Sequence, residues 1–183
     1  TNFSTERKTL LIIGGSLGAG TINQSIIVHL KALIESNIQV IWQTGKNYFA
    51  DCKTALEKCQ WLNTNSPIIC TDFVSQMPLA YALADLVISR AGASSISELC
   101  LLGKPAILVP SPNVAEDHQT HNAMALVNKN AAVLVKDKDA QNNLIPIALQ
   151  LIKDNQKLLD LHTNILGLAL PDSARIIAAE VIK

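Results

Sequence analysis

The chain has 183 residues, the size of one domain, with 49% hydrophobic residues, 16% charged residues, and 15 basic residues balancing 15 acidic ones. This composition excludes a disordered chain, which is poor in apolar residues and high in net charge. It also argues against a nucleic-acid binder, which carries a basic excess, so no nucleic-acid partner is expected.

Neither a transmembrane span nor a secretory signal is predicted. The uncharged stretch Thr9–Leu30 contains glycines and polar residues that the bilayer core rejects. The cysteines have no CxxC spacing and no clustered histidines, so we predict reduced thiols in a cytosolic protein, without disulfides, metal site or cofactor. They are Cys52, Cys59, Cys70 and Cys100.

Apolar runs of strand length alternate with helical patterns along the chain. The predicted strands are Thr9–Ile13, Ile38–Gln43, Ile68–Cys70, Asp85–Ser89, Ala106–Val109 and Ala132–Val135. The predicted helices are Thr21–Ile34, Tyr48–Cys59, Met77–Leu83, Ser94–Leu102 and Asp117–Lys129, with helical sequence from Gln141 onward that is broken near Gly167 and Pro171.

This alternation predicts an α/β domain with a doubly wound parallel sheet of about six strands, spanning residues 1–183. Strands that are apolar throughout are buried on both faces, and β–α alternation produces parallel pairing with right-handed crossovers. Ligands of such sheets bind beyond the carboxyl ends of the strands. Functional residues are therefore expected in the loops that follow the strands.

A glycine-rich loop, GGSLGAG, follows the first strand and leads into a helix. Its glycines let the backbone approach a ligand, and a helix N-terminus offers free N–H groups to a phosphate. Ser16 breaks the dinucleotide fingerprint, and the second strand ends in Gln43 without the acid that holds an NAD ribose. Asn47 after Gly45-Lys46 excludes a phosphate-binding P-loop. The loop is either an anion site or a plain tight turn.

A second loop of small residues, RAGASSISE, follows the fourth strand. The N–H groups and hydroxyls of Ser94 and Ser95 suit a diphosphate, and Glu98 is one helical turn further on, where a carboxylate accepts from a ribose diol. The same residues have a structural interpretation, because Ser95-x-x-Glu98 is a capping box. Residues 94–98 therefore predict either a ligand site or a helix cap.

Two further loops carry candidate ligand contacts. Asp117-His118-Gln119 begins a helix after the fifth strand, where polar side chains suit sugar hydroxyls, although Asp117 is also a natural helix cap. Phe73 and Val74 follow the third strand, where an aromatic ring and free backbone groups suit a flat base. A lone phenylalanine is more often a core residue.

Together these loops resemble the C-terminal half of the MurG family of peptidoglycan glycosyltransferases. That family transfers N-acetylglucosamine from UDP-N-acetylglucosamine to an undecaprenyl-linked muramyl-pentapeptide. The matching stretches cover about two-thirds of the chain in the family's order. They are GGSLGAGTINQ (Gly14–Gln24), WQTGK (Trp42–Lys46), FVSQMPLAYALADLVISRAGASSISEL (Phe73–Leu99), GKPAILVPSP (Gly103–Pro112) and DHQTHNA (Asp117–Ala123).

The resemblance implies a GT-B fold, of which this chain is the Rossmann-like, donor-binding domain, and it assigns roles to the loop residues. Phe73 lies over the uracil, the backbone of Val74 pairs with the base edge, and Met77 lies nearby. The ribose hydroxyls are assigned to Glu98. The diphosphate and its sugar are assigned to Gly15, Ser16, Gly18, Ala93, Ser94, Ser95, Ile96, Ser97, His118 and Gln119.

The resemblance also implies a partner domain. An N-terminal acceptor-binding domain would supply the catalytic residue, the contact with the lipid-linked acceptor and the attachment to the cytoplasmic face of the membrane. Terminal helices over residues 158–183 are expected to pack on that domain. We therefore expect a donor-binding piece of an inverting hexosyltransferase that is inactive alone. Alternatives are the separate donor subunit of a two-chain UDP-N-acetylglucosamine transferase and a non-catalytic nucleotide-binding module.

Overall fold

The computed structural model describes residues 3–59, 66–113 and 117–182. A six-stranded sheet forms their centre, with every pairing parallel and the strand order β3-β2-β1-β4-β5-β6. The predicted doubly wound sheet is therefore confirmed. The strands are β1 (Thr9–Ile13), β2 (Gln39–Gln43), β3 (Ile68–Thr71), β4 (Leu86–Ser89), β5 (Ala106–Leu108) and β6 (Val133–Leu134).

Helices cover both faces of this sheet. No described helix has the length and apolar character needed to cross a lipid bilayer. The helices are α1 (Gly20–Val28), α2 (Leu30–Glu35), α3 (Phe49–Lys58), α4 (Met77–Leu83), α5 (Ala93–Leu102), α6 (His118–Val127), α7 (Asp137–Leu151), α8 (Asn155–Leu166) and α9 (Ser173–Val181).

Two apolar layers hold the helices against the sheet. Successive strand side chains point to opposite faces, so Ile12 joins the layer under α1, α3 and α7 while its neighbour Leu11 joins the layer under α4, α5 and α6. Ile12, Leu11 and the β4 residue Val87 are all fully buried. The strands thus contribute apolar side chains to both faces, as the sequence predicts for a covered parallel sheet.

The predicted helix Thr21–Ile34 is in fact two helices that meet at His29. The backbone of His29 leaves the helical region, with φ −108° and ψ 17°. Its Nδ1 lies 2.9 Å from the Ser25 carbonyl oxygen, and its backbone N–H is shared between the carbonyls of Ser25 and Ile26. Side-chain competition for a helix carbonyl favours such a bend.

The predicted terminal helices occur as α8 and α9. Leu158, Leu161 and Ile165 of α8 are buried, and the His162 ring nitrogen Nδ1 lies 2.6 Å from the Gly103 carbonyl at the end of α5. In contrast, α9 exposes apolar side chains, among them Ile177 and Val181. Whether they pack on a further domain stays a prediction.

A buried polar network joins α1 to the end of β2. The indole N–H of Trp42, which is 0% exposed, donates to Asn23 Oδ1 at 2.9 Å. The Asn23 side-chain amide donates in turn to the Thr44 carbonyl at 2.9 Å. Each of these buried polar groups therefore has a partner, which fixes the loop after β2 against α1.

Trp42→Phe should lower the free energy of unfolding by about 2–3 kcal/mol, because it leaves Asn23 Oδ1 buried without its donor and removes ring volume from the core. Urea unfolding followed by circular dichroism measures this change. Leu159→Ala is the control, since this α8 side chain is 56% exposed and its loss should cost less than about 0.5 kcal/mol. Equal losses for the two variants would contradict the role of the network.

Cys59 should be alkylated first when the native chain is treated with iodoacetamide at pH 8. Cys59 is exposed, whereas burial raises the pKa of the Cys52 and Cys70 thiols to about 12, so that very little reactive thiolate forms. Burial also raises the pKa of Cys100. Peptide mass spectrometry gives the order of labelling. Labelling of Cys70 as fast as Cys59 would contradict the burial seen here.

Candidate functional site

The candidate site lies where the chain order of the sheet reverses, between β1 and β4. Ile13 pairs with Ser89 at the carboxyl ends of these strands, so the two small-residue loops that follow them lie side by side. β5 pairs with the other side of β4 and brings the loop before α6 to the same edge. Such a switch point is the usual ligand crevice of an open α/β sheet.

The glycines of the first loop have two different roles. Gly15 has φ +79° and open space where a side chain would be, and Ser16 beside it is exposed. Gly18 has φ +90°, and a Cβ there would lie 2.3 Å from the Thr44 carbonyl oxygen. Gly15 and Ser16 therefore face outward toward a possible ligand, whereas Gly18 is needed for contact within the protein.

The loop after β2 holds the glycine loop in this shape. Gly45 has φ +77°, and a Cβ on it would lie 2.1 Å from the Gly18 nitrogen. The Gln43 side-chain amide donates to the Gly15 carbonyl at 3.1 Å, and the Lys46 backbone N–H donates to the Ser16 carbonyl at 3.3 Å. Direct backbone contact and the Gln43 side chain thus join the two loops.

The second small-residue loop ends in an uncapped helix. α5 begins after Gly92, with no side-chain cap and no acidic residue in its first turn. Its first backbone N–H groups, those of Ala93, Ser94 and Ser95, point to the same sheet edge as Ser16, and the positive end of the helix dipole lies with them. This arrangement of backbone groups is suited to an anion.

The capping-box interpretation of Ser95 and Glu98 is wrong. Gly92 occupies the cap position, so Ser95 is the third residue of the helix and cannot cap it. The Glu98 carboxylate instead accepts a hydrogen bond from the Tyr81 hydroxyl, with 2.9 Å between the Tyr81 Oη and Glu98 Oε2. The exposed Glu98 side chain is therefore held by a neighbouring helix rather than by its own N-terminus.

The Tyr81 side chain joins α4 to α5 at one side of the site. Its side chain is only 5% exposed, and burial, together with the Glu98 carboxylate, raises the pKa of its phenol. The phenol is therefore protonated at neutral pH and acts as a donor. A pocket of about 350 Å³ lies between the two helices, lined by Met77, Pro78, Tyr81, Ala82, Glu98, Leu102 and Lys104.

The loop between β3 and α4 exposes Phe73 and contains backbone groups without a hydrogen-bond partner among the described residues. Phe73 is 53% exposed, so its interpretation as a core residue is wrong. Its backbone N–H donates to Asp72 Oδ1 at 2.8 Å, and its carbonyl accepts from the Thr71 hydroxyl at 2.9 Å. Within the described part of the chain, no hydrogen bond engages the backbone of Val74.

The third loop supplies an amide side chain at the start of α6. Gln119 Oε1 accepts from the Ser111 backbone N–H at 2.9 Å, and His118 is exposed. Asp117 stands at the cap position but in a left-handed conformation, φ +51°, and its carboxylate accepts from the Thr120 hydroxyl at 2.7 Å. It does not cap a backbone N–H of the helix. Residues 114–116 of this loop lie outside the described ranges.

An arginine that the sequence analysis did not single out joins the second loop to neighbouring elements. Arg90 Nη1 donates to the carbonyls of Val109 and Pro110 and to the Asp137 carboxylate. The other Asp137 oxygen accepts from the Thr21 hydroxyl at 2.9 Å. A single arginine at a strand end carries no sequence signal for these partners, because they lie up to 47 residues away.

The model of the glycosyltransferase family 28 C-terminal domain matches residues 9–174. This match covers most of the chain and both small-residue loops. The chain belongs to this family. Its placement in glycosyltransferase family 28 agrees with the fold, and the resemblance to MurG noted from the sequence is confirmed.

Two kinds of relative of this family 28 domain stand out. The chain is similar to two bacterial transferases, one from Parabacteroides distasonis (55% identity over 98% of this chain) and one from Bacteroides thetaiotaomicron (56% identity over all of it). Both are named UDP-N-acetylglucosamine–N-acetylmuramyl-(pentapeptide) pyrophosphoryl-undecaprenol N-acetylglucosamine transferase. The crystal structure of Acinetobacter baumannii MurG superimposes on 96% of the chain with a TM-score of 0.78 and 27% identity. The chain spans about half the length of these relatives, namely 48%, 48% and 49%.

Gly45→Ala should destabilise this family 28 domain far more than Gly15→Ala. Both glycines have φ near +78°, so alanine costs about 1–2 kcal/mol of backbone strain at either position. Only at Gly45 does the new Cβ also overlap backbone, that of Gly18 and Leu17, which has to move. Urea unfolding of the two variants measures the difference.

We expect Gly45→Ala to lose at least about 3 kcal/mol or to fail to fold. Equal destabilisation by the two substitutions would show that the loops are not in backbone contact. The two positions are matched in residue type and backbone conformation, so strain alone cannot produce the difference.

Proposed function

We propose that the chain binds UDP-N-acetylglucosamine as the donor half of the transferase that adds N-acetylglucosamine to lipid-linked muramyl-pentapeptide in peptidoglycan synthesis. The observation that carries this proposal is the position of the outward-facing Gly15-Ser16 beside the uncapped start of α5, with Glu98 one turn further on. This arrangement suits a nucleoside diphosphate. The names of relatives more than 50% identical supply the identity of the sugar and the acceptor.

The diphosphate belongs at the N-terminus of α5. Backbone N–H groups and hydroxyls over residues 93–97 and the Gly15-Ser16 backbone would surround it on two sides. As the bond to the sugar breaks, negative charge grows on the departing UDP, and fixed donors with the positive end of the helix dipole stabilise that charge. This domain would therefore contribute by stabilising the leaving group.

The uridine belongs between the loop after β3 and α5. The backbone of Val74, which has no hydrogen-bond partner among the described residues, is suited to the edge of the uracil, and the exposed Phe73 ring offers it an apolar face. Met77 lines the pocket shared with Glu98, whose carboxylate would accept from the ribose hydroxyls. Base and ribose would thus be bound between the loop after β3 and the helices α4 and α5.

The sugar belongs near the start of α6. With its oxygen occupied by the Ser111 N–H, the Gln119 amide presents its NH₂ group as a donor to a hydroxyl or acetamido oxygen. The exposed His118 lies beside it. A side chain whose orientation is already fixed binds a sugar at lower entropic cost.

Transfer also requires a bound acceptor and a base that takes the proton of its hydroxyl. The acceptor hydroxyl would attack the anomeric carbon as UDP leaves from the opposite side, which inverts the α-linked donor to a β-linked product. We propose that an acceptor-binding N-terminal domain supplies the base and holds the undecaprenyl-linked substrate at the cytoplasmic face of the membrane. The coding sequence upstream of Thr1 would distinguish this arrangement from a separate donor subunit.

Titration calorimetry of the chain should detect binding of UDP-N-acetylglucosamine and UDP, and no preference for NAD. Glu98→Gln should weaken UDP binding about tenfold, because a charged hydrogen-bond acceptor for the ribose is lost, while the melting temperature changes by less than about 2 °C.

The matched control is Glu35→Gln on α2, an exposed residue whose ion-pair partner is the exposed Lys31, which should leave UDP binding unchanged. No nucleotide binding up to millimolar concentrations, or a preference for NAD, would contradict the proposed function. A fall in melting temperature without a fall in affinity would contradict the role of Glu98.

A further inference from the structure

The hydrogen bond between Tyr81 and Glu98 joins a buried donor to an exposed acceptor. The Tyr81 ring packs inside the apolar layer beneath α4 and α5, whereas the Glu98 side chain faces solvent at the candidate site. A buried aromatic ring has one orientation, so its hydroxyl is a fixed point. The 2.9 Å bond to this buried side chain therefore restricts the motion of an exposed carboxylate.

A free glutamate side chain samples many rotamers, and binding a ligand through it costs conformational entropy. Here one oxygen, Oε2, is already held by Tyr81. In the part of the chain that the structure describes, Tyr81 is the one donor to this carboxylate. Oε1 therefore keeps its capacity to accept from a ligand while the carboxylate is held in place.

The bond is not needed to hold the two helices in place. α4 is anchored by the buried Ala80, and α5 by the buried Leu99 and Cys100, all within the same apolar layer. Loss of the Tyr81 hydroxyl leaves the ring and these contacts intact. The Lys104 ammonium, which lines the same pocket, donates to the Ala84 carbonyl at 2.9 Å.

We propose that Tyr81 is a positioning residue, whose hydroxyl holds one oxygen of Glu98 so that the other accepts from the 2′- or 3′-hydroxyl of the donor's ribose. This inference rests on the proposed function and adds to it the group that sets ribose recognition. Tyr81 acts through Glu98 and makes no contact with the nucleotide.

The test is ribose discrimination, measured as the ratio of dissociation constants for 2′- or 3′-deoxy-UDP and UDP by titration calorimetry. A site built to bind a hydroxyl discriminates against the analogue that lacks it. We expect Tyr81→Phe to weaken UDP binding about three- to tenfold, leave deoxy-UDP binding nearly unchanged, and so lower the ratio. In a Glu98→Ala background, Tyr81→Phe should have no further effect on UDP binding.

The matched control is Tyr48→Phe, which removes the hydroxyl of a tyrosine that packs on the glycine loop instead. It should leave the discrimination ratio unchanged, whatever its effect on affinity. A Tyr81→Phe variant that keeps the wild-type ratio, with or without a lower melting temperature, would overturn the inference and leave Tyr81 as a packing residue. Absence of UDP binding by the wild-type chain would instead overturn the proposed function.

Discussion

Close backbone contact between Gly18 and Gly45 is the constraint on which the shape of the site depends. β1 and β2 are adjacent and in register, so the loops that leave them must share the same space at the sheet edge. Only residues without a side chain allow the two backbones to approach this closely. With Gly18 turned inward, Gly15 and Ser16 are left on the outer side of the loop.

The rest of the site is held by side chains that are largely buried. Trp42 and Asn23 fix the loop after β2 from below, and Tyr81 fixes Glu98 from within the core. Asp137 joins Arg90 to α1 from the α7 side. The exposed groups that suit a ligand are thus positioned by buried side chains. Substitutions of those buried side chains should therefore change the geometry of the site.

The fold followed from the sequence because it depends on short-range patterns. Apolar strands alternating with helices, as at Thr9–Ile13, dictate a parallel sheet, and the sheet dictates which loops share an edge. Pairings between distant residues could not be read in this way. The hydrogen bond between Tyr81 and Glu98, found in place of the predicted capping box, joins residues 17 apart on different helices. The break at His29 depends on one side-chain contact within a helical pattern.

The contacts that hold α5 are at its C-terminus and in its middle. The helix ends at Gly103, which is in the left-handed conformation and whose carbonyl lies next to the ring of His162. Tyr81 bonds to Glu98 in the middle of the helix, whereas the first backbone amides have no protein partner within the described residues. A helix so restrained has little freedom left to lose. An anion that binds at the N-terminus of this helix therefore contacts groups that are already ordered. Little of the electrostatic attraction is then offset by the entropy cost of ordering the protein.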